Sequence, residues 1–175
     1  MRKLKNEELN RLSPEEFKTQ RKIPVILILD NIRSMNNVGS AFRTSDAFLV
    51  EAIYLTGITA KPPHRDINKT ALGATDTVKW QYFSSTQEAV NQAKERGFII
   101  AAVEQADNST YLNEFEPQPN DSYAFVFGNE AFGVEDEIVK SADICLEIPQ
   151  FGTKHSLNIS VSIGVVLWDY KSKSK

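Results

Sequence analysis

Five short apolar runs, at residues 25–29, 52–55, 98–103, 123–127 and 144–148, constrain the fold of this 175-residue chain more than any other feature. The run Val-Ile-Leu-Ile-Leu at 25–29 has no polar position, so it suits a strand covered on both faces. Helical signals lie between the runs. Ser85 and Glu88 have the spacing of a capping box for a helix that Gly97 would end. Residues 135–142 form a short amphipathic segment, and residues 40–49 are helix-like. Strands alternating with helices predict an α/β domain on a largely parallel sheet. No internal repeat or interdomain linker interrupts residues 23–170, which read as one domain. Before it, residues 1–22 read as a short helical arm. There Ser13 caps, Pro14 takes the first helical position and Glu16 completes a capping box. After it, the basic residues 171–175 read as a disordered tail.

Composition narrows the classes. The chain is 41% hydrophobic and 25% charged, as in ordinary globular proteins, and no apolar run approaches membrane-spanning length. The charged amino terminus lacks the apolar region of a signal peptide, so a cytoplasmic location is expected. The single cysteine, Cys145, excludes an internal disulfide and, within an apolar run, reads as a buried, inert thiol. A net charge of −3 argues against attraction of phosphate by the whole surface. A nucleic-acid partner would therefore need basic residues gathered locally. Residues 59–74 offer such a cluster: Lys61, His64, Arg65 and Lys69 follow or flank the stiffening pair Pro62-Pro63. A solvated charge run is the default reading of such a segment.

Two stretches have the punctuation of functional loops. Gly-Asn-Glu-Ala-Phe-Gly at 128–133 follows an apolar run, but it lacks the dinucleotide-binding G-x-G-x-x-G spacing. Its second glycine precedes Val134-Glu135 instead of the Lys-Ser/Thr of a P-loop. Both common phosphate cradles are disfavoured, and with them a nucleotide-binding oxidoreductase. Further on, Pro149 and Gly152 break the chain. Leu157, Ile159, Val161, Ile163 and Val165 then alternate as in a half-buried strand, whereas Leu157, Val161, Val165 and Trp168 fall at helical spacing. Periodicity leaves strand and helix both open here.

The pattern Ile-Pro-Gln-Phe-Gly-Thr-Lys-His-Ser-Leu-Asn at 148–158, continued by Ile-Ser-Val, resembles the third signature motif of the TrmH (SpoU) branch of the SPOUT RNA methyltransferases. Asn-Val-Gly-Ser-Ala-Phe-Arg at 37–43 resembles the first motif, and residues 127–133 resemble the second. Three motifs in the family's order are far more specific than any one. The resemblance implies a helix after Ser-Leu-Asn, and a SPOUT-type α/β fold whose carboxy-terminal part, about residues 127–168, is threaded into a deep trefoil knot. It implies S-adenosylmethionine as cofactor, no metal, a homodimer, and methylation of a ribose 2′-hydroxyl of RNA. The alternative is a non-catalytic RNA-binding protein that kept the fold. The expected lack of room for the separate amino-terminal RNA-binding domain that many ribosomal-RNA members carry tilts the choice of substrate slightly towards transfer RNA, although the extensions are short beside those of tRNA-specific members.

By the same resemblance, Arg43 is the catalytic arginine and Asn37 its supporting asparagine. Glu130 positions both, and Ser156 and Asn158 place cofactor or ribose. Val103, Glu104, Gly128, Asn129, Ile148 and Leu157 match cofactor-lining positions, Gly128 as a point of close backbone approach to the adenosine. Arg33, Lys61, His64, Arg65, Lys69 and Lys154 are the expected RNA contacts. A guanidinium keeps its proton in proteins, so Arg43 is better suited to clamp a phosphate beside the reacting hydroxyl than to act as a base.

Overall fold

In the computed structural model, which describes residues 1–174, seven strands form one sheet in the order β3-β2-β1-β6-β4-β7-β5. They are β1 (Ile23–Asp30), β2 (Val50–Thr56), β3 (Trp80–Phe83), β4 (Phe98–Val103), β5 (Thr110–Tyr111), β6 (Ser122–Phe127) and β7 (Ile144–Glu147). Every pairing between them is parallel. Six α-helices join them: α1 (Pro14–Thr19), α2 (Met35–Ala47), α3 (Arg65–Ala71), α4 (Thr86–Glu95), α5 (Asp136–Ser141) and α6 (Ile159–Lys173).

The continuous apolar run of β1 serves two cores at once. Val25, Leu27 and Leu29 face a layer that contains Val38 and Phe42 of α2, Ile67 of α3, and Ile163 and Leu167 of α6. Ile26 and Ile28 face the other way, towards Ala89 and Ala93 of α4 and Ile138 of α5. Alternate residues of a strand point to opposite faces, so a sheet with helices on both sides has no polar face to offer. All five apolar runs lie in strands, with ends shifted by a residue or two. The two unanticipated strands are short edge strands. Trp80, Gln81 and Tyr82 of β3 are exposed, and β5 has two residues, so neither carries a buried apolar run.

Helix α6 resolves the ambiguous period, and in an unexpected phase. Its buried stripe is Ile159, Ile163, Val166, Leu167 and Tyr170. The set Leu157, Val161, Val165 and Trp168 is exposed, with Trp168 at 67%. The helix is apolar on two faces, and the sheet covers one.

The helix also corrects the expected disordered tail. Residues 171–173 extend α6, and the Lys173 ammonium donates to the carbonyls of Leu112 (2.8 Å) and Phe115 (2.9 Å) while pairing with Asp169 at 2.9 Å. These three oxygens give the terminal turn a place to dock. Ser174 is the C-cap of the helix, and Lys175 lies outside the described residues.

The arm forms as its capping signals require. Ser13 Oγ accepts from Glu16 N (3.2 Å), and Glu16 Oε2 accepts from Ser13 N (2.8 Å). Phe17 is buried in the main core, which pins the arm to the domain. A further helix, α3, occupies what reads in sequence as a stiffened basic loop. The imidazole Nδ1 of His64 accepts from Asp66 N (3.2 Å) and caps it, and Ile67 and Ala71 bury against α2. Where α2 and α3 meet, a Cβ on Gly39 would lie 2.1 Å from Thr70 Oγ1 and 2.2 Å from the Ile67 carbonyl oxygen. Only glycine permits that approach.

Candidate active site

The carboxyl ends of β6, β4 and β7 open onto one cleft, the position where parallel α/β sheets place ligands. Its volume is about 800 Å³. Three segments far apart in sequence build its walls: the end of β4 with Val103 and Glu104, the loop 128–134 after β6, and the loop from Ile148 to Asn158 that leads into α6.

The loop after β6 is folded on itself. Asn129 and Gly133 exchange backbone hydrogen bonds of 2.8 Å in each direction, and Asn129 Oδ1 accepts from Ala131 N at 2.8 Å. The Asn129 amide donates to the Asn31 carbonyl at 2.6 Å, tying the loop to the end of β1. Glu104 Oε2 accepts from Val134 N (3.0 Å), which ties it to β4. A Cβ on Gly128 would fall 2.0 Å from Gly133 C and Val134 N. Gly128 thus answers first to the folding of its own loop, where sequence reasoning assigned it to the approach of an adenosine.

Glu130 is the hub of the site. Its Oε2 accepts from Arg33 N (3.0 Å); its Oε1 accepts from Ser34 N (3.1 Å) and Asn37 Nδ2 (3.0 Å). Ser34 is the N-cap of α2, so a carboxylate brought from β6 closes the helix's positive end. Partial burial, the largest single influence, works against ionisation. The hydrogen bonds from Arg33, Asn37 and Ser34 outweigh it and hold the Glu130 carboxyl below its usual range. Asn37 Oδ1 in turn accepts from Asn158 Nδ2 at 3.3 Å. Asn158 caps α6 by accepting from Ser160 N (2.9 Å). One chain of amides and a carboxylate therefore couples the starts of α2 and α6 to the loop after β6.

All six positions matched to the cofactor, Val103, Glu104, Gly128, Asn129, Ile148 and Leu157, line the cleft, and so do Glu130, Ser156 and Asn158. Arg43 does not. It lies six residues, about 9 Å of helix rise, beyond Asn37. It is exposed and makes no hydrogen bond or ion pair among the described residues. Glu130 touches Asn37 and not Arg43, so only half of the positioning expected of it occurs within one chain.

None of the expected RNA-contacting residues lines the cleft, although Lys154 lies on the loop that forms its third wall. Arg33 and Lys154 are exposed. Lys61 sits over the Tyr82 ring at 4.1 Å, Lys69 pairs with Asp66 at 3.7 Å, and Arg65 is exposed. Cys145 is half-buried, and its thiol is raised by burial. No group of three His, Cys, Asp or Glu side chains suited to a metal occurs among the described residues. No described helix is long and apolar enough to cross a membrane.

Sequence reasoning missed Asn31. At φ 53°, its Oδ1 accepts from Ile58 N (3.1 Å), and its amide donates to Asp30 (2.9 Å) and Glu135 (2.8 Å). This residue joins the loops after β1, β2 and β6. Its only sequence signal is Asp-Asn at a strand end, where left-handed backbone is common.

A twisted parallel α/β sheet with a polar network at its strand ends defines an enzyme-like class. Within it, residues 24–168 match the SpoU rRNA Methylase family model, and the chain belongs to that family. Over 144 residues it is 33% identical to the 23S rRNA (guanosine-2′-O-)-methyltransferase RlmB of Neisseria meningitidis serogroup B, covering 82% of this chain and 56% of the relative. The chain spans between 56% and 64% of the length of the first curated relatives it matches. The crystal structure of the A. aeolicus TrmH/SpoU tRNA modifying enzyme superposes with a TM-score of 0.78 at 27% identity, over 91% of this chain and 79% of that one. The AdoMet-bound rRNA methyltransferase of Sinorhizobium meliloti shares the fold, with a TM-score of 0.78 at 24% identity, over 91% and 60% of the two chains.

Proposed function

We propose that this chain is an RNA ribose 2′-O-methyltransferase that uses S-adenosylmethionine and acts on transfer or ribosomal RNA in the cytoplasm. The observation that carries the reading is the convergence of three separated motifs on one network, Asn158–Asn37–Glu130, at the mouth of the cleft. Family membership and the activities named for the RlmB relative and the TrmH/SpoU enzyme support it. A non-catalytic RNA-binding protein would have no need for this network beside a cleft of cofactor size.

The residues present fit the cofactor. Val103, Val134, Ile148 and Leu157 offer apolar surface for an adenosine, while Glu104, Gln105 and Asn129 supply polar groups, in a volume normal for a nucleotide-sized ligand. When bound, the cofactor supplies a methyl group already activated by its sulfonium. The protein's part is then orientation and proton removal.

Glu130 is unsuited to be the base, since three donors occupy its oxygens and hold it ionised. Its work is to set Asn37 and the amino terminus of α2. Asn158 lies between Asn37 and the cleft, where its amide can orient a ribose. Arg43, with its guanidinium unpaired, clamps the phosphate next to the target hydroxyl, and that phosphate or a water takes the proton.

The reading extends to assembly and threading. Val161, Val165 and Trp168 form an exposed apolar stripe on α6 that suits a second copy of the chain. Arg43's place outside the cleft then becomes intelligible, because it would serve the partner's cofactor. The carboxy-terminal trefoil knot belongs to the same proposal, supported by β6 and β7 lying on opposite sides of β4 with the cleft loops following each. Arg33, Arg65 and Lys154, exposed on the same domain, are proposed to contact the RNA backbone, with transfer RNA slightly favoured.

The test is transfer of labelled methyl from S-adenosylmethionine to unfractionated tRNA and rRNA without added divalent metal, followed by mass spectrometry of the nucleosides. Label on ribose is expected. Label confined to bases would overturn the assignment.

A further inference from the structure

Phe132 stands out among the groups that the proposed chemistry leaves unused. It lines the cleft, yet its side chain is 89% exposed. An apolar ring so placed forgoes the stabilisation that burial would bring. Nor is it a loose side chain on a mobile tip. Asn129 Oδ1 accepts from Phe132 N at 3.3 Å as well as from Ala131 N, and the Asn129–Gly133 bridge closes the loop beneath it. The ring is therefore displayed from a braced turn, two residues from the carboxylate that sets Asn37 and Arg33 N–H. The second cleft loop carries a matching ring, Phe151, at 97% exposure and next to the cleft residue Gln150.

We propose that Phe132 is a stacking platform for the base of the nucleotide being methylated, with Phe151 receiving a neighbouring base. This rests on the reading of the cleft as a ribose methyltransferase site and adds a substrate class to it. A phenyl ring has no hydrogen-bonding group, so it meets a base by its face and is tolerant of base identity. In a duplex both faces of a base are covered by its neighbours. A platform of this kind therefore selects nucleotides in single-stranded segments, loops or extruded positions. The unpaired guanidinium of Arg33, whose backbone N–H donates to Glu130, lies on the α2 side of the same network and provides for a flanking phosphate.

The experiment measures fluorescence anisotropy of a labelled single-stranded hexaribonucleotide, and of the same strand in a duplex, against the full chain with S-adenosylhomocysteine present. Phe132→Leu should weaken single-strand binding about 5- to 150-fold, the range of one lost base stack. Phe132→Tyr should bind within about twofold of wild type, since the ring is kept. Neither should change the salt dependence, because no phosphate contact is lost. The proposal is overturned if Leu binds like wild type, or if Leu and Tyr weaken binding equally. It is also overturned if either variant turns a dimer into a monomer in sedimentation, which would mean that a second copy covers the ring. Failure of wild type to methylate any RNA would sink the methyltransferase reading alone, because the oligonucleotide assay needs no methyl transfer.

Discussion

Arg43 and Glu130 do different work, and substitution separates them. Arg43 touches neither the cleft walls nor the Glu130 network. Arg43→Ala should abolish turnover while calorimetry shows nearly unchanged affinity for S-adenosylmethionine. A large loss of affinity in a folded variant would place the residue wrongly. Glu130 acts through the fold. Its carboxyl is held below the usual range, so the ionised form is the one the folded state favours. The stability it contributes is fully present above the ordinary carboxylate value of about 4.3 and is lost as pH falls through its lower folded value. Glu130→Gln should lower stability by less than about 1 kcal/mol at neutral pH, because the carboxylate is exposed and solvent screens its charge. The gap between wild type and variant should close as the solution is acidified below that range. A gap independent of pH in chemical denaturation would show that the charge plays no part.

At the scale of elements, the site depends on how closely helices and loops approach. The hydroxyl of Thr70 donates to the Asn36 carbonyl at 3.0 Å, beside Gly39, and so joins α3 to the first turn of α2. Gly39→Ala should destabilise the protein by about 1–3 kcal/mol, the usual consequence of overpacking. Adding Thr70→Ala should restore little, because the Ile67 carbonyl oxygen is backbone and remains 2.2 Å from the new Cβ. Thermal melts of the single and double variants measure this. Full rescue by the second substitution would mean that the side-chain clash alone matters.

At the scale of the whole molecule, the exposed stripe on α6 and the isolated Arg43 lead to one expectation. If each site of a dimer takes its arginine from one chain and its cleft from the other, Arg43→Ala and Asn158→Ala chains complement each other. A mixed dimer then has one site with both defects and one intact. Equal mixing makes half the dimers mixed, so roughly a quarter of wild-type activity should return in a closed two-fold dimer. No recovery would place Arg43 and its cleft in the same chain. A monomer in sedimentation at micromolar concentration would defeat the arrangement outright.

The parallel sheet was legible in the chain because strands buried on both faces must be apolar at every position, as residues 25–29 are. The cap of α1 was legible because Ser13 and Glu16 bond reciprocally within four residues; that of α4 formed by half, since Ser85 Oγ accepts from Glu88 N while the Glu88 carboxylate accepts from Ser84. The three motifs pointed to their family by resemblance, which also decided for a helix at Ile159–Lys173 where periodicity allowed two answers. Tertiary structure alone settled which stripe of that helix is buried, since both stripes are apolar and burial depends on what lies opposite. It alone turned residues 65–71 into a helix, through packing on α2 across Gly39. It alone exposed the network of Glu130, Asn37 and Asn158. Those hydrogen bonds join residues 93 and 121 positions apart, and no local pattern encodes a contact that the strand order creates.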